Sequence, residues 1–265
     1  VPGKDRLITA AVAVPLLAAA IVWLPAWGLA LGLGLMAAGG QWELYRMHFG
    51  ATPLPAAAWL ACAAGLLVVA AAPSGGTPSV LAGAVVVVLL ARLLSTRPRE
   101  RALAEAGVMV LGLAYVALLL SHVALLRAGP DGVRWIFFLC LVTWAGDASA
   151  YYVGSRFGRT RLTEVSPGKT VEGTAGGLAM SVLAAYAGWG FVRGLSAWDP
   201  LWIGLFLGAM GVLGDLVESL FKRGAGVKDS SRLIPAHGGI LDKVDSFLFT
   251  APALFYYLTA FVRGG

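Results

Sequence analysis

Apolar residues fill this chain in runs of about twenty, broken by short polar stretches rich in Gly, Pro, Arg and Asp. A helix needs about 20 mostly apolar residues to cross the hydrocarbon of a bilayer. The pattern therefore predicts nine spanning helices, at roughly 7–24, 27–46, 54–73, 78–95, 102–126, 133–155, 173–193, 200–221 and 245–263. Only a turn around Pro25 separates the first two. The first run reads as a span and not as a signal peptide. Another apolar run follows it at once, and no small-residue cleavage site precedes a soluble domain. The expected fold is all-α, a polytopic helical bundle. Residues 1–130 would be a scaffold without a diagnostic motif, and residues 131–265 would carry the helices and loops of the functional site.

Composition supports a membrane protein. Charged residues make up 13% of the chain, hydrophobic residues 58%, and mean hydropathy is +0.80. Soluble domains carry about 25% charged residues. The two cysteines, Cys62 and Cys140, lie inside apolar runs without paired spacing, which supports neither a disulfide framework nor a metal knuckle. The net charge of +6 would suggest nucleic acid in a soluble protein, but here it reports topology. Alternating the loops places sixteen of the 20 Lys and Arg residues on one side and four on the other. The positive-inside rule makes the richer side cytoplasmic, together with the N-terminus and the polar loops 156–172 and 222–244.

Ionisable groups within spans are costly and point to function. Three sets stand out in the last four spans. In "WAGDASAYYVGSRFG", Asp147, Tyr151 and Ser155 are four residues apart and share a helix face. In "GDLVESLFKR", Asp215, Glu218, Ser219 and Lys222 form one polar stripe. Glu218 and Lys222 have the order of a favourable i,i+4 ion pair, but Asp215 lies a turn deeper with no cation at helical spacing. To stay charged there it needs a cation from elsewhere in the fold. In "HGGILDKVDS", Asp242 and Asp245 lie three apart at the start of the last span. Capping would explain Asp242 and explains Asp245 less well. Carboxylate-rich sites of this kind suit Mg²⁺, and the absence of His or Cys at zinc spacing argues against zinc.

A basic, glycine-bearing loop set surrounds these acids: Lys222, Arg223, Lys228 and Arg232 from the long loop, and Lys169 from "SPGKTVEGTAGG". Pro167 and Gly168 predict a turn, and Thr170 to Glu172 predict a helix start whose N–H groups, beside Lys169, can hold phosphate oxygens. The Gly-Lys-Thr triplet is not a Walker loop, because the spaced upstream Gly and the preceding strand are missing. Arg97, Arg99 and Arg101 read as topology determinants only. His237, before Gly238 and Gly239, could meet a ligand where the backbone comes close or bond to a neighbouring carbonyl. His48 and His122 read as structural. Acids that bind divalent cations, beside cations that bind phosphate, imply a substrate that is a metal-chelating polyphosphate.

"SLFKRGAGVKDSSRLIPAHGGILDKVD" resembles the signature of phosphatidate cytidylyltransferases, also called CDP-diacylglycerol synthases, in Ser219, Lys222, Arg223, Lys228, Asp229, His237, Gly238, Gly239, Asp242 and Asp245. The upstream "GDLVES", "SPGKTVEG" and "GDASAYYVGSRFG" are similar to family segments in the same order, so the resemblance covers the C-terminal half. Lys243 stands where the family has Arg, and Val171 where an aromatic is common. The resemblance implies transfer of a cytidylyl group from CTP to phosphatidic acid, giving CDP-diacylglycerol and pyrophosphate, at a multi-pass inner-membrane enzyme. It also implies Mg²⁺, with two divalent positions and room for a monovalent ion, and suggests a homodimer. Asp215 and Asp242 are the implied leading metal ligands, sharing one pocket, with Asp147, Glu218 and Asp245 in support. Lys222, Lys228 and His237 join the two aspartates as catalytic candidates. Phosphate and nucleotide contacts are expected from Lys169, Ser219, Lys222, Arg223, Lys228, Asp229, Gly238 and Gly239. The rival readings are a transferase acting on another phospholipid, such as an isoprenoid-based one, and an ion-coupled transporter.

Overall fold

The computed structural model describes residues 4–50, 52–231, 233 and 238–262, and among them it is all-helical with no strand. Nine helices occupy the positions the apolar runs predict. They are α1 (Lys4–Trp23), α2 (Ala26–Phe49), α3 (Ala56–Ala70), α4 (Thr77–Leu93), α5 (Arg99–Ala128), α6 (Gly132–Phe157), α7 (Val171–Trp189), α8 (Asp199–Gly224) and α9 (Leu241–Val262). Of these, α5, α6, α8 and α9 are long and apolar enough to cross a membrane. Proline marks several starts: Pro25 and Pro55 stand at the N-caps of α2 and α3, and Pro78 and Pro200 lie in the first turns of α4 and α8. These are positions where a missing N–H costs no helix bond.

The chain divides into two compact units. One comprises the chain up to Ala128 together with Asp229–Lys243; the other comprises Gly129–Lys228 together with the chain from Val244 onward. In the first, α2 and α3 pack through Leu33, Ala37, Ala58, Ala61 and Val68, all buried. Tyr45 is fully buried and its hydroxyl donates to the Met109 carbonyl at 2.9 Å. Beside it α5 widens into a π turn over Gly112–Leu118. A Cβ at Gly112 would collide with the Tyr45 ring, so the glycine and the wide turn make room for one side chain.

Outward-facing positions are strongly apolar, with Leu94 83%, Leu103 87% and Trp23 80% exposed. A soluble protein hides such side chains; lipid solvates them at no cost. Some of the charges, in contrast, turn inward. Glu105, 1% exposed, receives Arg92 Nε at 3.0 Å and Arg97 Nε at 3.1 Å. Arg97 is therefore more than the topology determinant expected of it. Its acid partner comes from the next helix, where a scan of neighbouring residues does not look.

In the second unit α6 and α7 are closely packed antiparallel neighbours, and α8 lies against α7. Between α6 and α7 the chain forms a small hairpin, with Leu162 N–H donating to the Lys169 carbonyl at 2.9 Å and Val171 N–H to the Thr160 carbonyl at 2.9 Å. Pro167 and Gly168 lie at its tip, as the turn residues predict. Thr170 then caps α7, its hydroxyl oxygen accepting from Gly173 N–H at 3.1 Å. Glu172, in the first turn, accepts from the backbone N–H groups of Arg159 and Thr160. This clamp fixes the hairpin onto the helix start.

Candidate functional site

The hairpin delivers Lys169. Its ammonium meets Asp215 Oδ2 at 2.6 Å, which supplies the cation that α8 itself lacks at helical spacing. Ser219, one turn along α8, donates its hydroxyl to Asp215 Oδ1 at 3.2 Å. Both oxygens of Asp215 are thus oriented, one by a cation from the hairpin and one by its own helix. A turn further on, buried Glu218 pairs with the Lys222 ammonium, in the i,i+4 order the sequence predicts.

Asp245 completes a group of three acids. One carboxylate oxygen each from Asp215, Glu218 and Asp245 lie within 4.8 Å of one another. Gly214 makes this approach possible: a Cβ there would stand 2.5 Å from the Asp245 carbonyl oxygen. The glycine before Asp215 lets the backbones of α8 and α9 close up beside the acids. Three carboxylate oxygens form a hard, all-oxygen donor set, which fits Mg²⁺ in chemistry and fits zinc poorly.

Asp147 sits at a narrow cleft lined by Thr143, Gly146, Gly177, Ser181, Gly208 and Gly211. It hydrogen-bonds to the side chain of Ser246, on the α9 turn that carries Asp245. The face it shares by spacing with Tyr151 and Ser155 is not a joint site. Tyr151 is 71% exposed, and Ser155 donates its hydroxyl to the Tyr152 carbonyl. At the end of α8, Arg223 donates to the Val227 carbonyl at 3.1 Å, while Lys228 and Asp229 are exposed.

Asp242 belongs to the first unit. Its Oδ2 accepts from Gly239 N–H at 2.7 Å, Ser230 N–H at 3.1 Å and the Ser230 hydroxyl at 2.8 Å. The Gly-Gly pair has a geometric cause here. Gly238 has φ +83°, and a Cβ on it would lie 2.6 Å from Asp242 Oδ2. A Cβ on Gly239 would run into Ser230 Oγ and, at 2.5 Å, into both carboxylate oxygens of Glu43. His237 and Arg232 lie outside the described residues.

Glu43 is the residue that sequence reasoning missed. It is fully buried on α2 and makes contacts of 3.0 Å or less to Ser230, Ser231, Ile240 and Leu241. The signal was present in "GGQWELYRMHFG": an ionisable residue inside an apolar run, the same criterion that selected Asp147 and Asp215.

The fold and these groups define a class: an all-α membrane protein whose clustered, buried and half-buried carboxylates are oriented by lysines and serines. The chain belongs to the cytidylyltransferase family, whose model matches residues 4–261. It is 37% identical over 197 residues to a phosphatidate cytidylyltransferase of Synechocystis sp. (strain ATCC 27184 / PCC 6803 / Kazusa), covering 61% of this chain and 65% of the relative. It is 41% identical over 165 residues to the phosphatidate cytidylyltransferase of Bacillus subtilis (strain 168), covering 59% and 60%. Against that of Staphylococcus saprophyticus the identity is 43% over 152 residues, covering 57% and 58%. The chain thus spans between 58% and 65% of the length of these curated relatives.

Proposed function

We propose that the chain is a phosphatidate cytidylyltransferase, moving a cytidylyl group from CTP to phosphatidic acid. A phosphate oxygen of the lipid attacks the α-phosphorus of CTP, the bond to the bridging oxygen of the β-phosphate breaks, and pyrophosphate leaves with CDP-diacylglycerol formed. The observation that carries this reading is the meeting of Asp215, Glu218 and Asp245 beside Lys169 and Lys222, in a chain of this family. An acceptor that is already anionic needs no strong general base. The harder task is bringing two anions together, and this group of acids and cations suits that task.

Asp215, Glu218 and Asp245 would hold Mg²⁺, with Asp147 supporting them through Ser246. Asp242 enters on its place in the motif. When bound, the metal neutralises the triphosphate and polarises the α-phosphorus. Ser219 keeps Asp215 turned toward the group. Lys169 and Lys222 can transfer from carboxylate to phosphate as substrate arrives and stabilise charge on the departing pyrophosphate. Arg223, at the end of α8, and Lys228 and Asp229, in the loop after it, would meet nucleotide, and His237 enters on its place in the motif before Gly238 and Gly239. The sixteen-to-four distribution of Lys and Arg supports nine spans, a cytoplasmic N-terminus and a site facing the cytoplasm at the inner membrane; only the resemblance to the family suggests a homodimer as the assembly.

Purified protein incubated with radiolabelled CTP, Mg²⁺ and phosphatidic acid should produce a labelled lipid and pyrophosphate in equal amounts. Absence of labelled lipid with phosphatidic acid, but its appearance with an isoprenoid-based phosphate, would move the reading to another lipid acceptor.

A further inference from the structure

Four hydrogen-bond contacts converge on the Glu43 carboxylate. Oε1 receives the Ser231 hydroxyl at 2.6 Å and Ile240 N–H at 2.8 Å; Oε2 receives the Ser230 hydroxyl at 3.0 Å and Leu241 N–H at 2.8 Å. Ser230 and Ser231 directly follow Lys228 and Asp229, Ile240 stands just before α9 and Leu241 opens it. One side chain on α2 therefore ties together both stems of the signature loop. It also caps a helix to which it is not joined in sequence, placing negative charge where the N-terminal amides and the helix dipole favour it.

The contact chain continues to Asp242. The Ser230 hydroxyl lies within hydrogen-bond distance of both Glu43 Oε2 and Asp242 Oδ2, and Gly239, which donates to Asp242, is packed against both oxygens of Glu43. A hydroxyl carries one proton, so Ser230 donates fully to only one of the two carboxylates at a time. How Asp242 is held thus depends on Glu43. Every one of these groups lies in the same compact unit.

We infer that Glu43 is a positioning residue for the transferase reaction, setting the placement of Asp242 and the Gly238–Gly239 turn through Ser230, Ser231 and the start of α9. This inference rests on the proposed activity. Partners that orient a ligand from behind typically change metal affinity or activity about 10–100-fold when removed. A purely structural role predicts something different: fewer folded molecules, with unchanged properties in those that remain.

The experiment compares the wild type with Glu43→Gln and the milder Ser231→Ala, in detergent. It reads the half-saturating Mg²⁺ concentration for CDP-lipid formation, and hydrogen exchange of the peptide covering residues 238–243. Half-saturation does not depend on how much of the sample is folded. Glu43→Gln should raise it about tenfold and speed exchange at Ile240 and Leu241, with Ser231→Ala shifting both in the same direction. Wild-type half-saturation in Glu43→Gln, or unchanged exchange at these amides, overturns the inference. Should Glu43→Gln fail to fold, Ser231→Ala decides on the same two readouts. A wild type that forms no CDP-lipid removes the proposed activity, and with it the positioning role, while the exchange data still report whether Glu43 holds the loop.

Discussion

At the scale of single residues, Asp215 and Lys169 show how a carboxylate is kept useful in a place that penalises it. A carboxylate partly withdrawn from water is less costly when paired, and for half-buried Asp215 the 2.6 Å contact with Lys169 provides the pairing until an anionic substrate competes for the ammonium. Asp215→Asn should abolish Mg²⁺-dependent CDP-lipid formation while the protein still inserts and folds, because the amide keeps the shape and loses the charge. Near-normal turnover in the purified variant would remove Asp215 from the mechanism. Lys169→Met should lower turnover by about 10²-fold or more, the scale of losing one preorganised charge-stabilising group. Steady-state assays at saturating CTP check this, and Lys169→Arg should recover part of the loss. Glu172 offers a pH test. The Arg159 N–H, its own backbone N–H and the Thr160 N–H hold its carboxyl down at about 2 from an ordinary 4.5. The clamp is therefore fully present above pH 4.5 and is lost as pH falls through 2. The amide resonances of Arg159 and Thr160 should titrate with a midpoint near 2; a midpoint near 4.5 would mean the clamp does not form.

At the scale of elements, the site depends on how closely helices approach. Gly214 lets α8 lie against α9 beside the acids, and Gly239 lets the loop lie against Glu43. Gly214→Val should force the two helices apart, costing about 1–3 kcal/mol and raising the half-saturating Mg²⁺ concentration. A thermal melt in detergent and a Mg²⁺ titration read the two effects separately, and an unchanged titration would detach the acids from helix spacing. The elements themselves were legible in the apolar runs, within a few residues at each end. The Glu218–Lys222 pair was legible too, because it is local to one helix. What escaped was every partner distant in sequence: Glu43 with residues 230–241, Glu105 with Arg92 and Arg97, and Ser246 with Asp147. Helical spacing carries information over four residues, and these pairs are linked only through packing.

At the scale of the whole molecule, membrane solvation explains the many exposed apolar side chains. The proposed orientation can be tested by labelling. Cys62 and Cys140 are buried, so single cysteines introduced as Glu164→Cys and Ser196→Cys would be read over little background. A membrane-impermeant maleimide added to intact cells should label the second and spare the first, with the reverse pattern after inversion of the vesicles. Labelling of both from one side would overturn the nine-span arrangement.

By itself the sequence determined the all-helical class, the positions of nine helices and the motif that places the chain in its family. All of these follow from hydropathy and spacing along one dimension. The tertiary structure alone decided that Asp245 and Glu218 join Asp215, that Lys169 is its cation, and that Glu43 accepts from Ser230, Ser231 and the start of α9. The reason is physical. A carboxylate in a low-dielectric interior takes its role from the few groups within hydrogen-bond reach, and only packing brings those groups from distant parts of the chain.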